Sequence, residues 1–228
     1  MQYIIGIDDT DTAESRGTGY LARVIAASLA KDFHLHGVTR HQLLVDERVP
    51  MTAKNSCAAI LFEGDSYPLE EIAHFARKLM LDDFQPGSDP GLCVASMVPE
   101  EIISYGQRVQ REFIYQDEPR ELAAAHGLYL EGLGGTNGGI IGALAAVGLA
   151  AGGNDGRYVE IGSLRDLVGL QPVSAVLAAG ICAVQTPEGQ DVTNGLVMTD
   201  KMRPARRRAQ PILLVQQQDR YWQPLKLD

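Results

Sequence analysis

The order of apolar and polar positions predicts a series of alternating strands and helices. Residues 3–8, opening on YIIGI, read as a strand, and residues 19–31 hold Leu21, Val24, Ile25 and Leu29 on one helical face. Residues 38–46 alternate and residues 57–62 are continuously apolar, which predicts two strands joined by the irregular ERVPMTAKNS. Residues 69–80 return to helical spacing. QPGSDPG, the clearest turn signal, leads to a short strand over 92–98. Residues 100–115 resume a helical period, and EPRELAAAHG predicts a short helix closed by Gly127. Beyond GLGGTNGG come an apolar helix and three strand candidates, RYVEIG, AGICAVQ and QPILLVQQQ.

This alternation favours an α/β fold, a mixed β-sheet covered by helices. An α+β arrangement stays open, because connection lengths leave strand order and direction undetermined. The strands of the last third suggest a smaller C-terminal lobe. The expected units are residues 1–155 and a smaller α/β lobe, 156–228, packed on the first.

Composition narrows the classes. With 228 residues and 45% hydrophobic content, the chain can build a true core. A net charge of −9, from 20 basic against 29 acidic residues, would repel nucleic acid and anionic membrane alike, so no stand-alone nucleic-acid binding is expected. Cys57, Cys93 and Cys182 form no CxxC pair and sit in apolar contexts, which predicts buried thiols in a reducing compartment. No basic leader precedes the first strand, and the longest apolar run, IIGALAAVGLAA, is too short to span a bilayer. A cytoplasmic protein, free or as a homo-oligomer, is the expectation.

The chemistry concentrates in two stretches. In GIDDTDTAESRGTG, Asp8, Asp9 and Asp11 fall within four positions at the end of a buried strand. Like charges held so close need a cation or several donors to offset their repulsion, and Mg²⁺ is held by one or two carboxylates with phosphate oxygens and waters completing its shell. A plain turn, with Asp and Thr capping backbone N–H groups, is the alternative. Thr18, just ahead of the next helix, reads as an N-cap or as part of a phosphate site at that helix start.

The second stretch, EGLGGTNGGIIGALAAVG, places Gly132, Gly134, Gly135, Gly138 and Gly139 before a small-residue helix. So many glycines point to positive φ angles or to backbone brought against a ligand, with helix N–H groups available to an anion. The spacing matches neither GxxxxGK[ST] nor GxGxxG. A close-packed turn is the bland reading, and Asn137 supplies an amide that could reach phosphate or ribose oxygens.

Together, GIDDTDT…RGTGYLA and GGIIGALAAVG resemble the catalytic domain of the archaeal tRNA(Ile) 2-agmatinylcytidine synthetase (TiaS) family. VPMTAKNSCAA is similar to that family's proline-lysine-asparagine loop, SDPG to its asparagine-proline-glycine turn, and RPARRRAQPILLV to its late proline-rich strand. The resemblance implies ATP and Mg²⁺ as cofactors and a kinase-like activation of a carbonyl oxygen, which in that family lets agmatine displace it from cytosine. It implies that Asp8, Asp9 and Asp11 hold metal, that Thr18 sits on a threonine that becomes phosphorylated, that Gly138, Gly139 and Gly142 cradle phosphate, and that Asn55 takes the family's asparagine position. The chain departs from the pattern at Gly19, where the family has a second threonine, and lacks the preceding methionine-cysteine pair. It is expected to lack the family's OB-fold and zinc ribbon, with too few cysteines for the latter.

Other features weigh less. Arg203, Arg206, Arg207 and Arg208 form the densest basic cluster, read as a solvated loop or, through Arg203, a nucleotide or substrate contact. Lys54 and Asn55 pair a cation with an amide in a sheet-end loop. His34 and His36 read as surface groups at a helix exit, while His41 lies on a strand running toward that loop.

The combined expectation is an ATP- and Mg²⁺-dependent phosphotransferase or ligase-like activating enzyme, acting on a small-molecule or nucleobase-like carbonyl. Asp8, Asp9, Asp11, Thr18 and Lys54 carry the chemistry, and Asn55, Gly134, Gly135, Asn137, Gly138, Gly139 and Arg203 bind the nucleotide. The alternatives are a non-catalytic nucleotide sensor or partner subunit, and an RNA-modification core with a separate RNA-binding partner.

Overall fold

The computed structural model describes residues 1–49, 51 and 54–227. Pro50, Thr52 and Ala53, which belong to the VPMTAKNSCAA motif, lie outside the described residues. In chain order the elements are β1 (Gln2–Asp8), α1 (Thr18–Leu29), β2 (His34–Gln42), β3 (Ser56–Glu63), α2 (Leu69–Asp82), β4 (Gly91–Ala95), α3 (Glu100–Val109), α4 (Asp117–Ala125), β5 (Tyr129–Gly132) and α5 (Ile140–Gly152). There follow β6 (Arg157–Glu160), β7 (Leu170–Pro172), α6 (Val173–Ala178), β8 (Ala183–Gln185), β9 (Leu196–Met198), β10 (Ala205–Arg207), β11 (Gln210–Gln218) and β12 (Tyr221–Pro224).

This is a mixed α/β architecture on a mostly antiparallel sheet, in the order β5-β4-β1-β3-β2-β6-β10-β11-β12-β9-β7, with β8 alongside β11. The parallel pairs are β8 with β11 and β9 with β12. The sheet runs on from β2 into β6 and β10, so its hydrogen bonding crosses residue 155 without a break.

The period of two along β1 divides its side chains between two cores. Tyr3, Ile5 and Ile7 face α1 and α2, where they meet Leu21, Ile25, Ile72 and Met80. Ile4, Gly6 and Asp8 point to the other face, under α3 and α5. That second core joins Cys57, Ala59 and Cys93 of the strands to Ile102 and Tyr105 of α3 and to nearly every side chain of α5. A third cluster, built on Tyr158, Val176, Val184, Val197, Leu213 and Val215, belongs to the C-terminal elements.

The small residues of α5 let its backbone lie directly on the sheet. A Cβ at Gly6 would come within 2.1 Å of the Ala143 carbonyl oxygen, and one at Gly91 would come equally close to Gly139. The helix ends at Gly153 in the left-handed conformation, φ 73°.

Several predicted boundaries shift. The strand expected over 38–46 is His34–Gln42, because its pairing with β3 begins earlier and passes a bulge between Leu35 and Gly37. His34 and His36 therefore stand on a strand, where His36 pairs with Glu63 at 3.2 Å. The helix expected over 100–115 stops at Val109, and the following apolar residues instead line a cavity. Cys57 and Cys93 are buried as predicted, but Cys182 is exposed, since β8 starts one residue later. Among the described residues no helix is long and apolar enough to cross a membrane.

Candidate active site

Asp8 is the last residue of β1 and, by alternation from Gly6, points under α5. Its carboxylate meets the helix at Gly142, where a Cβ would fall 1.7 Å from Asp8 Oδ2. Burial, and then repulsion from Asp9 and Asp11, push the Asp8 carboxyl up to about 8, against the opposing hydrogen bond from the Asp9 backbone. Asp9 follows in a left-handed turn at φ 50°. Burial and the nearby charges of Asp89 and Asp11 raise its carboxyl to about 6.

Asp11 is oriented from α1. The Thr18 hydroxyl donates to Asp11 Oδ1 at 2.9 Å and accepts from the Thr10 hydroxyl at 3.1 Å. Thr18 is the first residue of α1 rather than its cap: Gly17 occupies that position and provides no side-chain bond. The hydroxyl turns back to the acidic loop because Asp11 is a stronger, charged acceptor.

A backbone chain ties the acidic turn to the glycine turn. The Asp89 N–H donates to the Asp9 carbonyl, and the Gly139 N–H donates to the Asp89 carbonyl, each at 3.1 Å. The side chain of Asp89 continues the link, its Oδ2 accepting from the backbone N–H and the hydroxyl of Thr136. Its Oδ1 is buried with no hydrogen-bond partner. Gly135 and Asn137 take positive φ, 58° and 65°, as this tight wrap requires.

These segments wall one cavity of about 620 Å³. Asp8, Asp9, Asp11 and Asp89 line it together with Gly138 and Gly139 at the start of α5, where the helix dipole favours an anion. Leu43, Val109, Phe113, Ile114 and Tyr115 add an apolar and aromatic part to the wall, and Gln116 ties that segment to the glycine turn by donating to the Thr136 carbonyl at 3.1 Å. Arg48 lies over the Phe113 ring at 4.8 Å and pairs with Asp46 at 2.7 Å. Lys54 and Asn55 also line it, and Asn55 holds its loop by donating to the Leu44 carbonyl at 2.7 Å.

The remaining candidates lie elsewhere. Thr18 is buried behind Asp11, and Gly134, Gly135 and Asn137 shape the turn without forming the cavity wall among the described residues. Asn137 packs its side chain under Gly132. Arg203 lines a separate cavity. Arg206 is buried, donating to the Ala150 and Ala209 carbonyls and the Tyr158 hydroxyl. His41 is fully buried between Thr39 and Asp155.

Sequence reasoning missed Asp89 as a fourth acid. SDPG signals a turn, but nothing local shows that its carboxylate is carried to Asp9. The aromatic wall is not legible in the sequence because Phe113 continues the apolar spacing of the helix that ends at Val109.

Among the described residues no three His, Cys, Asp or Glu side chains are placed to hold a metal by themselves. The donor set instead fits a divalent cation held by one or two carboxylates. The Asp8 and Asp9 carboxyls are raised by burial and then by the charges of neighbouring acids, and the buried Asp89 Oδ1 lacks a donor.

No protein-family model matches the chain, and neither does any curated protein. Solved structures do. A tRNA fluorescent labelling enzyme aligns with TM-score 0.57 and 21% identity, and so does TiaS bound to an isoleucine tRNA and ATP. TiaS with that tRNA, AMPCPP and agmatine aligns at 0.55 and 20%. Each match covers 65% of this chain but 36% of the solved one, so the chain spans about a third of those structures. The chain thus resembles the TiaS core in fold.

Proposed function

We propose that this protein is an ATP-dependent activating enzyme, a phosphotransferase or ligase-like catalyst, whose acceptor is a small-molecule or nucleobase-like carbonyl. The observation that carries the reading is the joining of the acidic turn to the glycine turn, through Asp89, on one cavity wall. The solved complexes of the same fold with ATP and AMPCPP support a nucleotide there.

Asp8 and Asp9, with Asp11 and Asp89 beside them rather than in one ligand set, are the residues that would hold Mg²⁺, which would neutralise phosphate charge and orient the transferred group. The start of α5 beside Gly138 receives phosphate oxygens, while Gly139 keeps its N–H on the Asp89 carbonyl and only shapes the wall, and Lys54 balances charge that develops as the bond to the leaving phosphate lengthens. Thr18 orients the Asp11 carboxylate. Phe113 and Tyr115 give a planar acceptor ring an aromatic surface to pack against within the same cavity. Catalysis is then positioning and charge stabilisation.

Calorimetry with ATP, with and without Mg²⁺, on the wild type and on Asp8→Asn tests this. Magnesium-dependent binding that is lost in a folded Asp8→Asn supports it; absent binding, or binding untouched by the substitution, overturns it. Binding without turnover across an acceptor panel would favour a nucleotide sensor. A second reading, an RNA-modification core served by a separate RNA-binding chain, draws on the tRNA in the solved complexes. Cross-linking to tRNA only in the presence of such a partner would favour it.

A further inference from the structure

A second cavity, of about 530 Å³, opens where α1, β6 and the loop joining β9 to β10 meet. Arg23, Arg157, Arg165, Lys201 and Arg203 line it, against a single acid, Glu160, among the described residues. A quarter of the chain's 20 basic residues thus share one concavity in a protein whose net charge is −9. The mutual repulsion of Arg23, Arg165, Lys201 and Arg203 is a standing cost unless an anion offsets it.

Glu160 offsets little of that repulsion. It approaches Arg165 at 3.7 Å, a loose pair, and burial keeps its carboxyl above the ordinary value despite Arg165 and Arg23. Arg203 donates to the Leu227 carbonyl at 3.0 Å, a neutral acceptor that leaves the guanidinium charge in place. The cations arrive from separate segments: Arg23 from α1, Arg157 from β6, Arg165 from the turn after it, and Lys201 with Arg203 from the late loop. Convergence of this kind is what a built site requires, whereas a solvated charge run comes from one segment. Lys201 is moreover held at φ 56°, a conformation that disfavours a side-chain-bearing residue.

We infer that this cavity binds a small phosphate-bearing molecule with two or more negative charges, at a site separate from the acid-lined cavity. Guanidinium forks match phosphate oxygens in pairs, and Lys201 adds a mobile point charge at the rim. The volume is that of a small-ligand pocket. A concavity of this size suits a compact ligand better than the extended backbone of a polynucleotide. The inference stands independently of the chemistry assigned to the first cavity.

The test is calorimetric titration with inorganic pyrophosphate and tripolyphosphate, without divalent cations, on wild type, Lys201→Gln, Arg203→Gln and Asp8→Asn. One saturable site per chain is expected, weakened about 10-fold by either cation substitution, the worth of a charged hydrogen bond, and unchanged by Asp8→Asn. Lys201 is exposed, so its variant keeps the fold even if Arg203→Gln loosens the C-terminal segment. Absence of binding, indifference to both cation substitutions, or loss in Asp8→Asn would each overturn the inference. So would retention of tRNA, sensitive to the same substitutions, by a protein that ignores both polyphosphates.

Discussion

Replacing Asp8 by asparagine should make the ligand-free protein more stable in alkaline solution. The native carboxyl titrates at about 8, while unfolded it returns to about 3.8. Between those values the native state holds a proton that the unfolded state has released, so stability falls as pH rises from about 4 to about 8. Above that the whole penalty persists. A difference of about four pH units corresponds to about 5 kcal/mol as a ceiling, and hydration and local relaxation of the charged site reduce it to about 2–3 kcal/mol. Asparagine has the same shape, keeps an oxygen for the Asp9 N–H, and never ionises. In a chain of this size the gain amounts to a rise of about 4–12 °C in Tm near pH 9, shrinking toward zero near pH 4. Melting curves of both proteins across that range, in a chelator, measure the difference directly, because the other acids are common to both. Parallel pH profiles for the two proteins would refute the argument that Asp8 is held against its charge by burial under α5.

Other perturbations have equally definite expectations. Gly142→Ala ought to favour a helix by about 1 kcal/mol, yet the added Cβ would meet Asp8 Oδ2 at 1.7 Å. The clash should win, costing about 1–3 kcal/mol in a urea titration; an alanine variant as stable as wild type would mean that α5 does not rest on Asp8. Thr18→Val leaves the Thr10 hydroxyl and Asp11 Oδ1 without their shared partner, for a loss of about 1–2 kcal/mol. Thr18→Ser should restore the denaturation midpoint. Arg206→Met strips the donor from three oxygens, the Ala150 and Ala209 carbonyls and the Tyr158 hydroxyl, and should lower stability by about 2–4 kcal/mol. An unchanged midpoint would show that those bonds are not made.

The acidic and glycine turns were visible because their signals are local. Three carboxylates within four residues conflict with one another whatever surrounds them, and a glycine run before an apolar helix announces a tight backbone path. The arginine cluster shows where local reading fails. Arg203 and Arg206 are three residues apart, yet one lines an open cavity and the other is buried on β10. Only the covering of that strand by Ala150 and Tyr158 separates them. Residues 110–115 mislead in the same way, since their apolar side chains suit a buried helix face and a cavity wall equally well.

The sequence by itself determined which segments are strands and helices over most of the chain, and where charge and glycine collect. These follow from backbone periodicity and short-range repulsion, which act between neighbours. Tertiary structure alone decided that the sheet is mostly antiparallel, that Gly142 is the residue laid over Asp8, that Asp89 joins the acids, and that five cations from distant segments share one hollow. Such juxtapositions depend on the register in which whole elements pack, and no single stretch of the chain carries the energy that selects it.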